Sequence, residues 1–278
     1  MNRYQIYFTL VALLPLAALL YAGLRRFRYR RAMVLEFPPA WAQFLHKRLP
    51  VYRRLTTTEQ EELQALIKHF LYTKTFIGCN GLEITDEIRV VIAAEACLLL
   101  LNRPSSRYAG LRWIYVYPTT FIARREQQDS YGVVSQQNNP LLGESWGNGR
   151  VVLAWDSVRS GMANFSDGHN VVLHEFAHQL DQEDGSADGA PLLYTRDSYR
   201  IWAQVFSREF EQLQRAVSRG QESLIDSYGA TNPAEFFAVV TEVFYERPHE
   251  LYAQSPDLFD ALQDYYRVDP RRWKQGRA

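Results

Sequence analysis

Two histidines four residues apart, with a glutamate directly after the first, stand in the run Leu173-His174-Glu175-Phe176-Ala177-His178-Gln179-Leu180-Asp181. If the run is helical, His174 and His178 leave the same face. Two neutral imidazoles placed in this way can ligate one metal ion, at about 2.0–2.1 Å each for zinc. Glu175 falls about 100° round the helix, where a carboxylate can address an activated water without being a ligand. Leu173, Phe176, Ala177 and Leu180 fill the opposite side at the i, i+3, i+4, i+7 spacing of a core stripe. A chance His-Glu-x-x-His occurs in on the order of one chain in a hundred of this length. Chance would not also sort the apolar residues to the back, so the run reads as a zinc site.

Two histidines do not hold a catalytic zinc, which needs a third protein ligand and an open position for water. The metzincin pattern would place Gly and His where Asp181 and Asp184 stand, so it is excluded. After Glu183 no glutamate occurs until Glu209, which with Glu211 lies on a charged amphipathic stretch. Glu235 is the other candidate, but Asn232-Pro233-Ala234-Glu235 also reads as a helix cap. Spacing alone leaves ligand and cap evenly matched. Glu242, seven residues further on the same face, can support a ligand from behind or be one itself. Asp181, seven residues after His174, is expected to orient a ligand histidine through its other ring nitrogen. His169 reads as a surface or capping histidine.

These groups need elements to hold them. Trp41 to Leu49 reads as a short helix ended by Pro50, and Thr58 with Glu61 as the capping box of a helix through about Tyr72. Thr85-Asp86 opens a helix whose apolar run, Val90 to Leu101, stops at Asn102-Arg103-Pro104. Leu111 to Tyr117, Tyr131 to Ser135 and Arg150 to Trp155 read as strands, with the turn formers 136–140 and 147–149 between the last two. Arg150 to Trp155 is expected to be the cleft edge that pairs with substrate backbone. Asp167 is the expected cap of the histidine helix, and 182–189 a polar loop. Further helices are expected from Asp197 to about Val217, from Asn232 to about Glu246, and from Pro256 to about Arg267. Helices around a small mixed sheet make an α+β fold.

The chain has 278 residues, 47% of them hydrophobic, enough for a sizeable core. Cys79 and Cys97 give no disulfide framework and no Cys-x-x-Cys metal site. The formal charge is zero, yet six arginines lie in the first 31 residues and no acid precedes Glu36. The remainder is therefore acidic by about six charges, which argues against nucleic-acid binding. Residues 4–24 carry no charged side chain, and about 21 residues of helix span roughly 31 Å. The run predicts a single-pass anchor in the inner membrane. The basic cluster after it would keep the catalytic domain in the cytoplasm. A buried helix or an interfacial anchor is the alternative. The expected organisation is an anchor at 4–24, a basic juxtamembrane linker at 25–37 and a zinc metallopeptidase domain at 38–278.

Several motifs recur together: His174-Glu175-x-x-His178-x-Leu180-Asp181, Ser145-Trp146, Val152-Leu153-x-Trp155 and Ile225-Asp226-x-Tyr228. Pro233-Ala234-Glu235-x-Phe237-Ala238-Val239-x-x-Glu242 and Tyr266-Arg267-x-Asp269-Pro270 complete the set. In combination, over about Leu55 to Pro270, they resemble the Mlc titration factor A group of bacterial zinc metallopeptidases. The resemblance implies a zincin-like fold, with His174, His178 and Glu235 as zinc ligands and Glu175 as catalytic base. It also implies a relation to lethal-factor-type metallopeptidases, in which a tyrosine seven residues before the ligand glutamate assists catalysis. Tyr228 holds that position. The best-known member of the group is a soluble regulator that binds a sugar-responsive transcriptional repressor, from which the N-terminal run departs. The expected function is zinc-dependent hydrolysis of a peptide or protein substrate. The rival is a zinc-stabilised module that sequesters a transcriptional repressor, with incidental peptidase activity.

Overall fold

The computed structural model describes residues 19, 23–24, 26–104, 107–128, 134–141, 143–146 and 149–273. Its contacts separate two compact units, Met1–Pro38 and Pro39–Ala278.

In the first unit the expected membrane anchor is corrected. Among the described residues no helix is long and apolar enough to cross a membrane. Of the run 4–24 only Leu19, Gly23 and Leu24 are described, and the rest lies outside the described residues. The continuous helical stretch at 26–34 carries Arg26, Arg28, Arg30 and Arg31. The single-pass inner-membrane localisation is therefore not supported, and neither is a membrane partner.

The second unit is α+β. Its described elements run α1 (Pro39–Arg48), α2 (Thr57–Thr73), β1 (Thr75–Gly78), α3 (Asp86–Leu98), β2 (Trp113–Tyr117), β3 (Phe121–Gln128), β4 (Val134–Leu141), β5 (Gly143–Trp146) and β6 (Arg150–Ala154). There follow α4 (Trp155–Ala163), α5 (Val171–Asp181), α6 (Arg196–Ser218), α7 (Pro233–Glu246), α8 (Pro248–Gln254) and α9 (Pro256–Tyr266). The main sheet is mixed, in the order β1-β2-β6-β5. β1, β2 and β6 are parallel, with Thr75 opposite Trp113 and Trp113 opposite Arg150. β5 runs antiparallel to β6, with Gly143 opposite Leu153.

This order moves the sheet edge. β6, expected to border the cleft, is paired on both sides, and β5 is the outer strand on that side of the sheet, packed against α5. Residues 136–140, expected to turn, lie inside β4, which pairs with β3 as a separate two-stranded ribbon. A ribbon outside the main sheet need not show the alternation that marks a core strand. Of the expected strand 131–135, residues 131–133 lie outside the described residues.

Two caps also shift. α2 uses Thr56 with Glu59 as its capping box in place of Thr58 with Glu61. Both pairs fit the pattern, and the earlier start adds helical hydrogen bonds to a nucleus already formed. α5 is capped by Asn170, whose Oδ1 accepts the N–H groups of Val172 and Leu173 at 3.1 Å each. Asp167 instead accepts the N–H of His169 at 2.9 Å, one turn too early.

The core is built round α5 and α7, which pack on each other. α5 buries Val172, Leu173, Phe176, Ala177 and Leu180, and the Phe176 ring lies 5.0 Å from that of Tyr108 and 5.6 Å from that of Phe70. Every α7 residue from Phe236 to Glu246 is buried. Beneath α7 lies an aromatic layer in which Trp202 stacks on Phe206 at 3.8 Å and meets Phe237 and Tyr265 edge-on. Packing of this density fixes side-chain positions to within a methyl group's tolerance. That rigidity reaches the functional residues, because they stand on the same two helices.

Candidate metal centre

His174 and His178 project from α5, and Glu235 from the first turn of α7. Their donor atoms form a nearly equilateral triangle. His174 Nε2 lies 3.1 Å from Glu235 Oε2, His178 Nε2 lies 3.2 Å from the same oxygen, and the two nitrogens are 3.2 Å apart. A tetrahedral ion at about 2.0–2.1 Å from three donors separates them by about 3.3 Å. Two imidazoles and one carboxylate with this spacing fit three corners of such a site, and the group could hold a divalent metal ion.

The geometry at Glu235 fits both readings that spacing left open. Asn232 Oδ1 accepts the Glu235 N–H at 3.0 Å, so the residue occupies the capped first turn of α7. Its carboxylate turns away from the cap and faces the histidines. Burial alone would raise the Glu235 pKa, but hydrogen bonds from His174 and His178 carry it well below the usual carboxylate range. A group held ionised in this way is suited to ligation.

Glu242 stands behind His174. Its Oε1 lies 2.7 Å from His174 Nδ1, and its Oε2 accepts the backbone N–H of Asn170. A proton on Nδ1 satisfies Glu242, so the proton a metal ion would displace is the one on Nε2, which faces Glu235. Burial would lower the His174 pKa, yet the Glu235 and Glu242 hydrogen bonds together raise it well above the ordinary value. Asn170 continues the support. Its Nδ2 donates to Glu95 Oε1 at 3.0 Å and to Glu246 Oε1 at 3.2 Å. Burial pushes Glu95 and Glu246 up to about 8 each, partly offset by those bonds.

Glu175 is 5% exposed and its Oε2 is buried with no hydrogen-bond partner. Burial raises its pKa to about 8; the nearby His174 pulls it down, while Glu235 and Glu242 push it further up. A buried, singly unsatisfied carboxyl beside a triangle that could hold a metal ion is an arrangement suited to a proton acceptor. Tyr228 lies in a short 3₁₀ turn, Ser227–Ala230, started by Asp226, which accepts the Tyr228 N–H at 2.7 Å. The Tyr228 side chain is exposed, and its ring centroid is 6.0 Å from that of His174.

Asp181 departs from expectation. Its Oδ2 accepts the N–H of Gly189 at 3.0 Å in place of a histidine ring N–H, and its Oδ1 is buried without a partner. It faces the loop that leaves α5 instead of the front of the helix. His169 is exposed, Glu209 bonds Arg208 and Ser255, and Glu211 pairs with Arg215, so none of them joins the triangle. Sequence reading missed Asn170, Glu95 and Gly189. A lone Glu in the apolar run of α3 was the available signal for Glu95.

The sequence of residues 24–267 matches the family described as glucose-regulated metallo-peptidase M90. An uncharacterized protein of Synechocystis sp. is 42% identical over 244 residues, 87% of this chain and 89% of its own. Mlc titration factor A of Klebsiella pneumoniae subsp. pneumoniae is 34% identical over 241 residues, 85% of this chain and 89% of its own. The protein of that name from Pectobacterium atrosepticum is 34% identical over 225 residues, 80% of this chain and 84% of its own.

Proposed function

The chain belongs to the glucose-regulated metallo-peptidase M90 family, and from that membership we propose that it is a zinc-dependent peptidase with a zincin-like catalytic domain. One observation carries the reading: the His174, His178 and Glu235 donors lie within 3.2 Å of one another beside the buried carboxyl of Glu175. A structural metal site has no use for an unsatisfied carboxyl next to its ligands. In this reading His174, His178 and Glu235 hold the ion, and zinc is the metal that suits two imidazoles and one carboxylate. When bound, zinc supplies Lewis acidity to a water molecule and to the scissile carbonyl.

The rest of the mechanism falls to the chain. Glu242 holds the proton on His174 Nδ1 and so keeps Nε2 available. Glu175 takes a proton from the attacking water at a carboxylate oxygen and delivers it to the leaving amine nitrogen. Its burial raises its proton affinity, which suits a group that must hold the proton between those two events. The Tyr228 hydroxyl, from its exposed position beside His174, donates a hydrogen bond to the oxyanion that develops on the carbonyl oxygen. The outer strand β5, packed against α5, is the backbone edge nearest the histidine helix with a free side among the described strands.

The test is hydrolysis of an unstructured protein or peptide mixture by the full chain, with and without a chelator, and by Glu175→Gln. Chelator-sensitive cleavage that Glu175→Gln abolishes supports the reading, and cleavage indifferent to both overturns it. The relatives' name supports a second role, binding of an Mlc-type transcriptional repressor. Co-purification of this chain with such a repressor, unaffected by Glu175→Gln, separates that role from peptidase activity.

A further inference from the structure

Gly189 lies where three elements meet. Its N–H donates to Asp181 Oδ2, at the end of α5, at 3.0 Å. Its carbonyl accepts the Nε1–H of Trp202, on α6, at 2.9 Å. Its backbone takes φ +77°, and a Cβ built there would lie 2.3 Å from Pro233 O and 2.7 Å from Pro233 C, at the start of α7. The left-handed conformation and the missing side chain are both needed for this approach. The contact is with backbone, which cannot step aside as a flexible side chain can.

The three partners are close to the metal-binding groups. Asp181 is three residues after His178 on the same helix, and Pro233 is two residues before Glu235. Asp181 is fully buried, and Trp202 is wedged against Phe206, Phe237 and Tyr265. Asp181 and Trp202 cannot shift without disturbing the core, whereas Pro233 is exposed at the start of α7 and is the partner that yields.

We propose that Gly189 and Asp181 form a clip that sets the distance between the histidines of α5 and the third ligand, Glu235, on α7. The clip acts through Pro233: a side chain at 189 must push the first turn of α7 away from the end of α5. Glu235 Oε2 then leaves the 3.1–3.2 Å separation that suits a single ion. Gly189 and Asp181 are positioning residues, since neither touches the triangle. This inference rests on the metal-peptidase reading of His174, His178 and Glu235.

The experiment is zinc titration of the full chain against a competing chelator, with the thermal midpoint of each metal-free variant measured in parallel. Gly189→Ala is expected to weaken zinc binding by about 10–100-fold, the usual effect of disturbing a ligand's support. Gly185→Ala is the control. It carries φ +96° in the same loop with open space at its Cβ, so it brings the backbone strain without the collision. Zinc affinity should hold in Gly185→Ala while its thermal midpoint falls. Should Gly189→Ala not fold, Asp181→Ala cuts the clip from the other side and should weaken zinc binding. Asp181→Asn, which keeps an oxygen for the Gly189 N–H, should recover most of that loss. Wild-type protein that takes up no zinc overturns the metal reading and this inference with it. Wild-type zinc uptake with unchanged affinity in Gly189→Ala, or in Asp181→Ala, overturns the clip alone. Equal weakening in Gly185→Ala and Gly189→Ala also overturns it.

Discussion

His174 Nδ1 lies 2.7 Å from Glu242 Oε1, and the second oxygen of that carboxylate accepts the Asn170 N–H. Both oxygens of Glu242 are therefore acceptors, one for His174 and one for the N-cap of the helix that carries it. Glutamine offers one acceptor and one donor, so Glu242→Gln must turn an N–H against an N–H at one end. Zinc affinity or activity should fall by about 10–100-fold. Titration against a competing chelator reads the first and steady-state kinetics the second; a variant unchanged in both would remove Glu242 from the site.

Glu175 and Glu235 should separate cleanly. Glu175→Gln is expected to keep about one equivalent of zinc and to lose turnover by at least the ~10²–10⁴-fold typical of a missing general base. Glu235→Gln should lose zinc and activity together, and excess metal should restore part of the activity. Its cap survives in either case, because Asn232 bonds the backbone of residue 235. Metal content by mass spectrometry decides. A zinc-replete, fully active Glu235→Gln protein would release Glu235 from the ligand set.

The carboxyls round Asn170 give a pH dependence whose sign can be worked out. Burial raises Glu95 and Glu246 to about 8, above the ordinary carboxyl range, so the folded state binds more protons than the unfolded one between those limits. Their contribution to stability is complete below the unfolded value and is lost as pH rises through about 8. Glu95→Gln stays neutral and keeps an acceptor for Asn170. It should flatten the fall in thermal midpoint between pH 5 and 9, measured on metal-free protein. A slope identical to wild type would mean that Glu95 does not titrate there.

Val152→Pro tests the sheet order. Val152 pairs with Tyr115 of β2 and Glu144 of β5, so proline would break the ladder in the middle of the sheet. A buried backbone group left unmade costs about 1–3 kcal/mol, and the urea midpoint should drop accordingly. A stable Val152→Pro protein with only KM raised would return β6 to the cleft edge.

Local sequence spoke clearly where one helix carried the whole signal. The His174/His178 face, the apolar back of α5 and the Asn232 cap of α7 all follow from spacing within one or two turns. What sequence could not show depends on partners far apart in the chain. Asp181 looks like a fourth group on the front of α5, and only the return of the loop to Gly189 explains why it faces elsewhere. Glu95 reads as an oddity in an apolar helix until Asn170, 75 residues later, arrives beside it. Strand order belongs to the same class: Arg150–Ala154 carries no mark that tells an inner strand from an outer one, since pairing is set by what lies on either side.

The triangle of His174, His178 and Glu235 donors is assembled by two helices whose other faces are buried in the core. The fold itself has already brought the three donors together. If the triangle holds a catalytic ion as proposed, its loss should switch the protein off without taking it apart, unlike a zinc finger, whose metal is its folding energy. On that reading the metal-free chain is a resting form that can be recharged. Its activity in a cell would then follow the local supply of metal and not the rate at which new chains are made.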